Sequence, residues 1–125
     1  MAFLSTRVKG PDEDDWKKLV RMIRYLRGSI HLPLILSADS VSILKWWVDG
    51  SHATHPDMRG HSGGCLSLGK GMPINTSTKQ KLNTCSSTET ELVASDDFMP
   101  IILWTNYFLE AQGYGSQNTI LYQDN

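Results

Sequence analysis

The 125 residues contain no run approaching the ~20 apolar residues of a membrane-spanning helix. The start, Met1-Ala2-Phe3-Leu4, has neither a basic region nor a cleavage pattern, so it does not read as a secretion signal. Cysteine is scarce. Cys65 and Cys85 stand alone, without CxxC spacing, and read as free thiols in a reducing compartment. Neither sign of charge is in excess: 12 basic and 13 acidic residues give a net charge of −1. Any nucleic-acid contact must therefore come from local patches. The glycines form no GxGxxG element before a helix, so a dinucleotide site is not supported. Internal repeats and low-complexity segments are absent from the sequence. What is present, 40% hydrophobic and 20% charged residues, suits one globular domain with one core.

The pattern along the chain predicts alternating elements. Asp12 caps a helix whose first turn holds Glu13, Asp14 and Asp15, where acid complements the helix dipole. Trp16, Leu19, Val20, Ile23 and Leu26 recur at helical spacing, and Gly28 stops the helix. Arg21, Arg24 and Arg27 share a face that reads either as solvated or as phosphate-contacting. Leu32 to Leu36 reads as an edge strand, because it carries Pro33. Val41 to Val48 reads as a strand covered on both faces. Asp49-Gly50 then reads either as a strand end or as a hairpin turn. Ser51 to Ser62 reads as a polar loop with His52, His55 and His61, which lack a clear fourth ligand for zinc. Gly63–Gly69 and Met72–Asn75 form a predicted hairpin about Lys70-Gly71. Thr76 to Thr84 reads as a polar, basic connection.

A second helix is predicted from Ser86 to Gly113. Ser86 with Glu89 suggests a capping box, and Thr88 with Glu91 an alternative register. Pro100 should kink or interrupt this helix near Asp97. After the Gly113–Ser116 loop, Thr119 to Tyr122 reads as a strand ending at Gln123-Asp124-Asn125. A meander, a helical crossover and a last strand point to a mixed α/β (α+β) sheet, with the last strand parallel to the first.

If the last strand lies parallel to, and beside, the strand containing Asp49, the arrangement carries chemistry. Asp49 and Asp124 would project at one end of the sheet, and the first turns of the second helix would bring Glu91 over the same place. Three carboxylates so close repel one another unless a cation sits between them. Hard oxygen ligands suit Mg²⁺ or Mn²⁺, and such ions promote phosphodiester hydrolysis. Of the helix acids, Glu89 reads as the cap partner, Glu91 as the ligand, and Asp96 and Asp97 as solvated. Acids at strand and helix ends are also common for capping alone.

Ser86-Ser87-Thr88-Glu89-Thr90-Glu91-Leu92-Val93-Ala94 resembles the Ser-Ser-Thr-Glu-Ala-Glu-Tyr-Val-Ala signature of the ribonuclease H domain in copia-type retrotransposon polyproteins. Trp16-Lys17-Lys18 through Arg24-Tyr25-Leu26-Arg27-Gly28 is similar to the Trp-Lys…Arg-Tyr-Leu-Lys-Gly stretch that follows the reverse-transcriptase catalytic region. Val48-Asp49-Gly50 falls where that family's first nuclease aspartate falls, and Leu121-Tyr122-Gln123-Asp124-Asn125 is similar to its Asp-Asn strand end. The likeness runs from about Leu4 to Asn125, with the motifs in order.

The resemblance implies a division into residues 1–37, the end of the reverse-transcriptase connection, and residues 38–125, a partial ribonuclease H-like domain. It implies that Asp49, Glu91 and Asp124 are three of four metal-binding acids. The cofactor would be Mg²⁺ (or Mn²⁺), and the reaction cleavage of RNA in an RNA–DNA hybrid. Lys79, Gln80, Lys81 and Ser87 would approach that substrate, reading A-form-like shape, 2′-hydroxyls and phosphates. The implied setting is intracellular, in a cytoplasmic particle or the nucleus, without membrane attachment. The chain departs from the family at Pro100 and at Asp96-Asp97. The family's fold also continues past Asp124 into further helices, a last strand and the fourth acid. A C-terminally truncated piece is therefore expected, its missing partners being the polymerase and the rest of the ribonuclease H segment. Such a piece is either a ribonuclease H-type endonuclease expected to be inactive alone, a non-catalytic nucleic-acid-binding module, or an inert remnant of the element.

Overall fold

The computed structural model describes residues 2–39, 43–115 and 118–124. It forms two compact units, Met1–Leu34 and Ile35–Asn125. The division falls within the Leu32–Leu36 run.

The first unit holds helices α1 (Ala2–Thr6) and α2 (Glu13–Gly28). The start of α2 is fixed by a reciprocal cap. The Asp12 carboxylate accepts from the Asp15 N–H at 2.8 Å, and the Asp15 carboxylate accepts from the Asp12 N–H at 3.1 Å. Arg7 reaches both acids at 3.0 Å. Satisfying orphan donors in this way stabilises the start of the helix. The apolar stripe is real in spacing, yet Trp16, Ile23 and Leu26 are each more than half exposed. Arg21, Arg24 and Arg27 are exposed as well.

In the second unit, a four-stranded sheet has the order β5-β3-β2-β6. Its strands are β2 (Ile43–Ser51), β3 (His61–Ser67), β5 (Ile74–Lys79) and β6 (Asn118–Gln123). Two short strands, β1 (Ser37–Ala38) and β4 (Gly69–Lys70), pair separately. β2 pairs antiparallel with β3 and parallel with β6. The chain crosses from β5 to β6 through helix α3 (Ser87–Ala111). This mixed sheet with helices is the expected fold class, and it is compatible with a ribonuclease H-like arrangement. Among the described residues, no helix is long and apolar enough to cross a membrane.

Period-two alternation sends Leu44, Trp46 and Val48 to one face of β2, where Leu66 of β3 and Ala94, Phe98 and Ile102 of α3 complete the core. The helix approaches closely because β3 carries Gly64; a Cβ there would lie 2.5 Å from the Phe98 ring. The opposite face of β2 is not covered. Trp47 is 38% exposed and stacks on Tyr122 with ring centroids 5.0 Å apart. The expectation of a strand buried on both faces is thereby corrected: the continuous apolar run at Trp46-Trp47-Val48 reflects an aromatic pair on an open face.

Other boundaries also move. Leu32 to Leu36 is not a strand, and its apolar residues are exposed. Pro33 cannot donate to a ladder, and pairing begins only at Ser37. Val41 and Ser42, where the next strand was expected to begin, lie outside the described residues, as do Ser116 of the Gly113 loop and Asn125. Asp49 and Gly50 are interior to β2, opposite Gly63 and Ser62, so the hairpin-turn alternative fails. β5 runs on through Thr76 to Lys79, expected as a connection, because an edge strand tolerates polar side chains on its exposed face. α3 passes through Pro100 without interruption. The Asp96 carbonyl that loses its donor and Pro100 itself both lie on the exposed side, where water can serve.

Candidate functional site

The parallel pairing of β2 and β6 ends with Val48 opposite Gln123. Asp49 and Asp124 therefore follow at the same end of adjacent strands. Both are exposed and line one open pocket of about 650 Å³ on the sheet face turned from α3, together with Trp47, Gly63, Cys65 and Tyr122. Burial pushes the Cys65 thiol above its ordinary range, so it stays protonated there.

Glu91 reaches this region from the other side. It lies in the first turns of α3, is 8% exposed, and does not line that pocket. Its Oε2 accepts from the Gly50 N–H at 3.1 Å and from the Gln123 Nε2 at 3.4 Å. The contact needs glycine at position 50, since a Cβ would lie 2.8 Å from the Thr90 carbonyl oxygen. Glu89 serves the cap. Its N–H donates to Ser86 Oγ at 3.2 Å, and its carboxylate accepts from the Cys85 N–H rather than from Ser86. The structure thus joins Asp49 and Asp124 in one pocket and leaves Glu91 beside it, bonded to their sequence neighbours. Among the described residues, no group of three or more His, Cys, Asp or Glu side chains could hold a metal ion.

The expected substrate contacts divide. Lys81 and Ser87 are exposed. Lys79 is tied to Asp57 at 2.6 Å, and this bond holds the Asp57 carboxyl below the usual range. Gln80 is 1% exposed and its amide donates to Ser62 Oγ at 3.0 Å and to the Thr90 carbonyl at 2.9 Å. It joins the sheet to the start of α3 from inside the protein.

Several residues of this neighbourhood carry no sequence signal of their role. Ser62 Oγ donates to Asp97 at 2.8 Å, so Asp97 is anchored rather than simply solvated. His52 Nδ1 lies 3.2 Å from Thr84 Oγ1 and 3.0 Å from Thr90 Oγ1. His55 is buried and bonds His61 at 2.9 Å, and His61 in turn bonds Ser77 Oγ at 2.8 Å. Burial and the neighbouring charge of His55 hold the His61 ring below its ordinary pKa. The histidine spacing was the one available signal for this pair. It raised zinc without a clear fourth ligand, and the structure shows ring-to-ring hydrogen bonding.

No family model and no solved structure matches the chain. A curated protein does: the retrovirus-related Pol polyprotein from transposon TNT 1-94 of Nicotiana tabacum is 30% identical over 122 residues. The match covers 97% of this chain and 9% of the polyprotein. Along nearly its whole length, then, the chain is similar to a segment of a retrotransposon Pol polyprotein, and that likeness supports a retroelement polyprotein as the origin of its sequence.

Proposed function

We propose that this chain is a copia-type, ribonuclease H-like segment of a retrotransposon Pol polyprotein, whose reaction is divalent-metal-dependent cleavage of RNA in RNA–DNA hybrids. Residues 1–37 would be the end of the reverse-transcriptase connection, and residues 38–125 the nuclease portion. The observation that carries the reading is the parallel β2–β6 pairing, which sets Asp49 and Asp124 in one pocket. Two carboxylates with open access fit Mg²⁺ or Mn²⁺. Mg²⁺ commonly keeps several waters and is held by only one or two carboxylates with substrate phosphates. Bound there, such an ion would supply charge neutralisation at a phosphodiester and an activated water. The protein's own part is to present Asp49 and Asp124 on an open sheet face and to meet the hybrid with Lys81 and Ser87. In this reading the chain acts in an intracellular particle or the nucleus.

A second reading, hybrid binding without cleavage, is favoured by the lack of a three-acid metal group among the described residues. One assay separates the two: cleavage of a labelled RNA–DNA hybrid in Mg²⁺ or Mn²⁺, with Asp49→Asn as the control. Cleavage that falls to background in the variant supports the nuclease. Hybrid binding that needs neither metal nor Asp49, without cleavage, supports the binding module. Folded protein that neither binds nor cuts overturns both.

A further inference from the structure

α3 is apolar on two opposite sides. Ala94, Phe98 and Ile102 fill the core. On the other side Leu92, Met99, Leu103 and Tyr107 follow one another at helical spacing and are 69%, 43%, 46% and 66% exposed. Trp104 and Phe108 flank this outer stripe, stacked with ring centroids 5.2 Å apart. A helix that is apolar all round is normally covered all round. The stripe is also acidic. Asp96 and Glu110 lie within it, both exposed, and α3 contains no lysine, arginine or histidine.

α2 is its complement. Trp16, Ile23 and Leu26 form an exposed apolar stripe. Beside it, Lys17, Arg21 and Arg24 line an open hollow of about 410 Å³ with Trp16 and Val20. Lys17 and Lys18 are already held by Glu13 and Asp14 of the same helix. Among the described residues Arg21, Arg24 and Arg27 make no ion pair, and neither do Asp96 and Glu110. The lengths agree as well. At 1.5 Å per residue α2 runs for about 24 Å, and the stripe from Leu92 to Glu110 for about 27 Å.

We propose that the chain dimerises through these two faces: α2 of one copy seats on the outer stripe of α3 of a second copy, its arginines towards Asp96 and Glu110. Burial of the two apolar stripes supplies the affinity. Charge selects the partner, because like charges across an interface are strongly disfavoured. α3 against α3 would bring acids together, and α2 against α2 would bring arginines together. α2 against α3 relieves both. When each copy offers its α2 to the other, the contact is made twice and the assembly closes as a two-fold dimer. None of these residues lines the pocket of Asp49 and Asp124, so the dimer stands apart from the nuclease reading.

The test is sedimentation equilibrium of the whole chain from micromolar to millimolar concentration, with circular dichroism to show that each variant keeps its helices. Wild type should pass from monomer to dimer. Ile23→Glu on α2 and Leu103→Glu on α3 should each weaken the dimer by about tenfold or more. An equal mixture of these two variants should associate better than either alone, because each brings the face that the other has lost. Arg21→Glu with Arg24→Glu should weaken the dimer too, and adding Asp96→Lys and Glu110→Lys should restore it. A monomer at every concentration overturns the proposal and leaves both faces to another segment of a polyprotein. Sensitivity to only one of Ile23→Glu and Leu103→Glu overturns it as well, since a helix would then be meeting its own copy. So does a charge swap that restores nothing, or a larger assembly that ignores all of these changes. Should Ile23→Glu or Leu103→Glu not fold, Trp16→Ala and Tyr107→Ala carry the same comparison.

Discussion

The two compact units are held by different physics. In Met1–Leu34 the bonds are local: Arg7 to Asp12 and Asp15, Asp12 to Asp15, Lys17 to Glu13 and Lys18 to Asp14 at 3.1 and 2.7 Å. The apolar stripe of α2 is largely exposed, and its one buried residue is the capping acid Asp15. In Ile35–Asn125 the decisive contacts are distant in sequence. Gly50 meets Glu91 across 41 residues, and Ser62 meets Asp97 across 35. A core around Leu44 and Trp46 underlies both. Local hydrogen bonds and exposed ion pairs specify where a helix starts, yet each contributes little to stability. Burial of side chains from distant segments is what can hold a site in place.

The sharpest way to break the comparison is to remove the largest core side chain. Trp46→Ala should destabilise the second unit by about 3–5 kcal/mol, since a fully buried aromatic leaves a cavity that its neighbours fill only in part. Denaturant unfolding followed by NMR should show this loss while the amides of α2 hold their protection. Equal loss in both units would mean that they are one cooperative body. The opposite change, Asp12→Ala, removes the cap and should cost α2 about 1 kcal/mol. Amide exchange over residues 13–18 should speed up, with the Gly50 and Trp46 amides unmoved.

The smallest effect is in acid, and its order separates the units. The His61 ring is held below its ordinary value of about 6.5 by burial and by the charge of His55, so its neutral form favours the fold. That stabilisation is complete above about pH 6.5 and is lost as pH falls through the lower folded value. Asp15 is held below its usual range first by the Asp12 N–H and then by Arg7, against the opposing effect of burial. Its contribution is present above about pH 3.9 and disappears only as pH falls through the lower folded value. A pH series of exchange rates should therefore loosen the His61–Ser77 region of the sheet before the start of α2. Loosening of α2 first would contradict this order.

What could be read in advance follows the same division. The start of α2 at Asp12 and of α3 at Ser86 was legible because a cap is a short-range code, a side-chain oxygen within three residues of an orphan N–H. The connectivity rule for crossovers pointed to a mixed sheet with a parallel last strand; its place beside β2, which aligns Asp49 with Asp124, is decided by the pairing itself. The Leu32–Leu36 run misled because apolar content without a donor-competent partner does not make a strand. Thr76–Lys79 misled because an edge strand has no need of apolar alternation.

By itself, then, the sequence determined the starts of α2 and α3, the mixed sheet and the resemblance to a retrotransposon polyprotein, since these depend on capping, periodicity and motif order. Only the tertiary structure decided what Glu91, Gln80, His61 and Gln123 do. Each is a polar group whose role depends on which distant donor or acceptor meets it, and no local pattern encodes that partner. The same holds for the open face at Trp47 and Tyr122, where an apolar run records a pair of stacked rings instead of a second buried side.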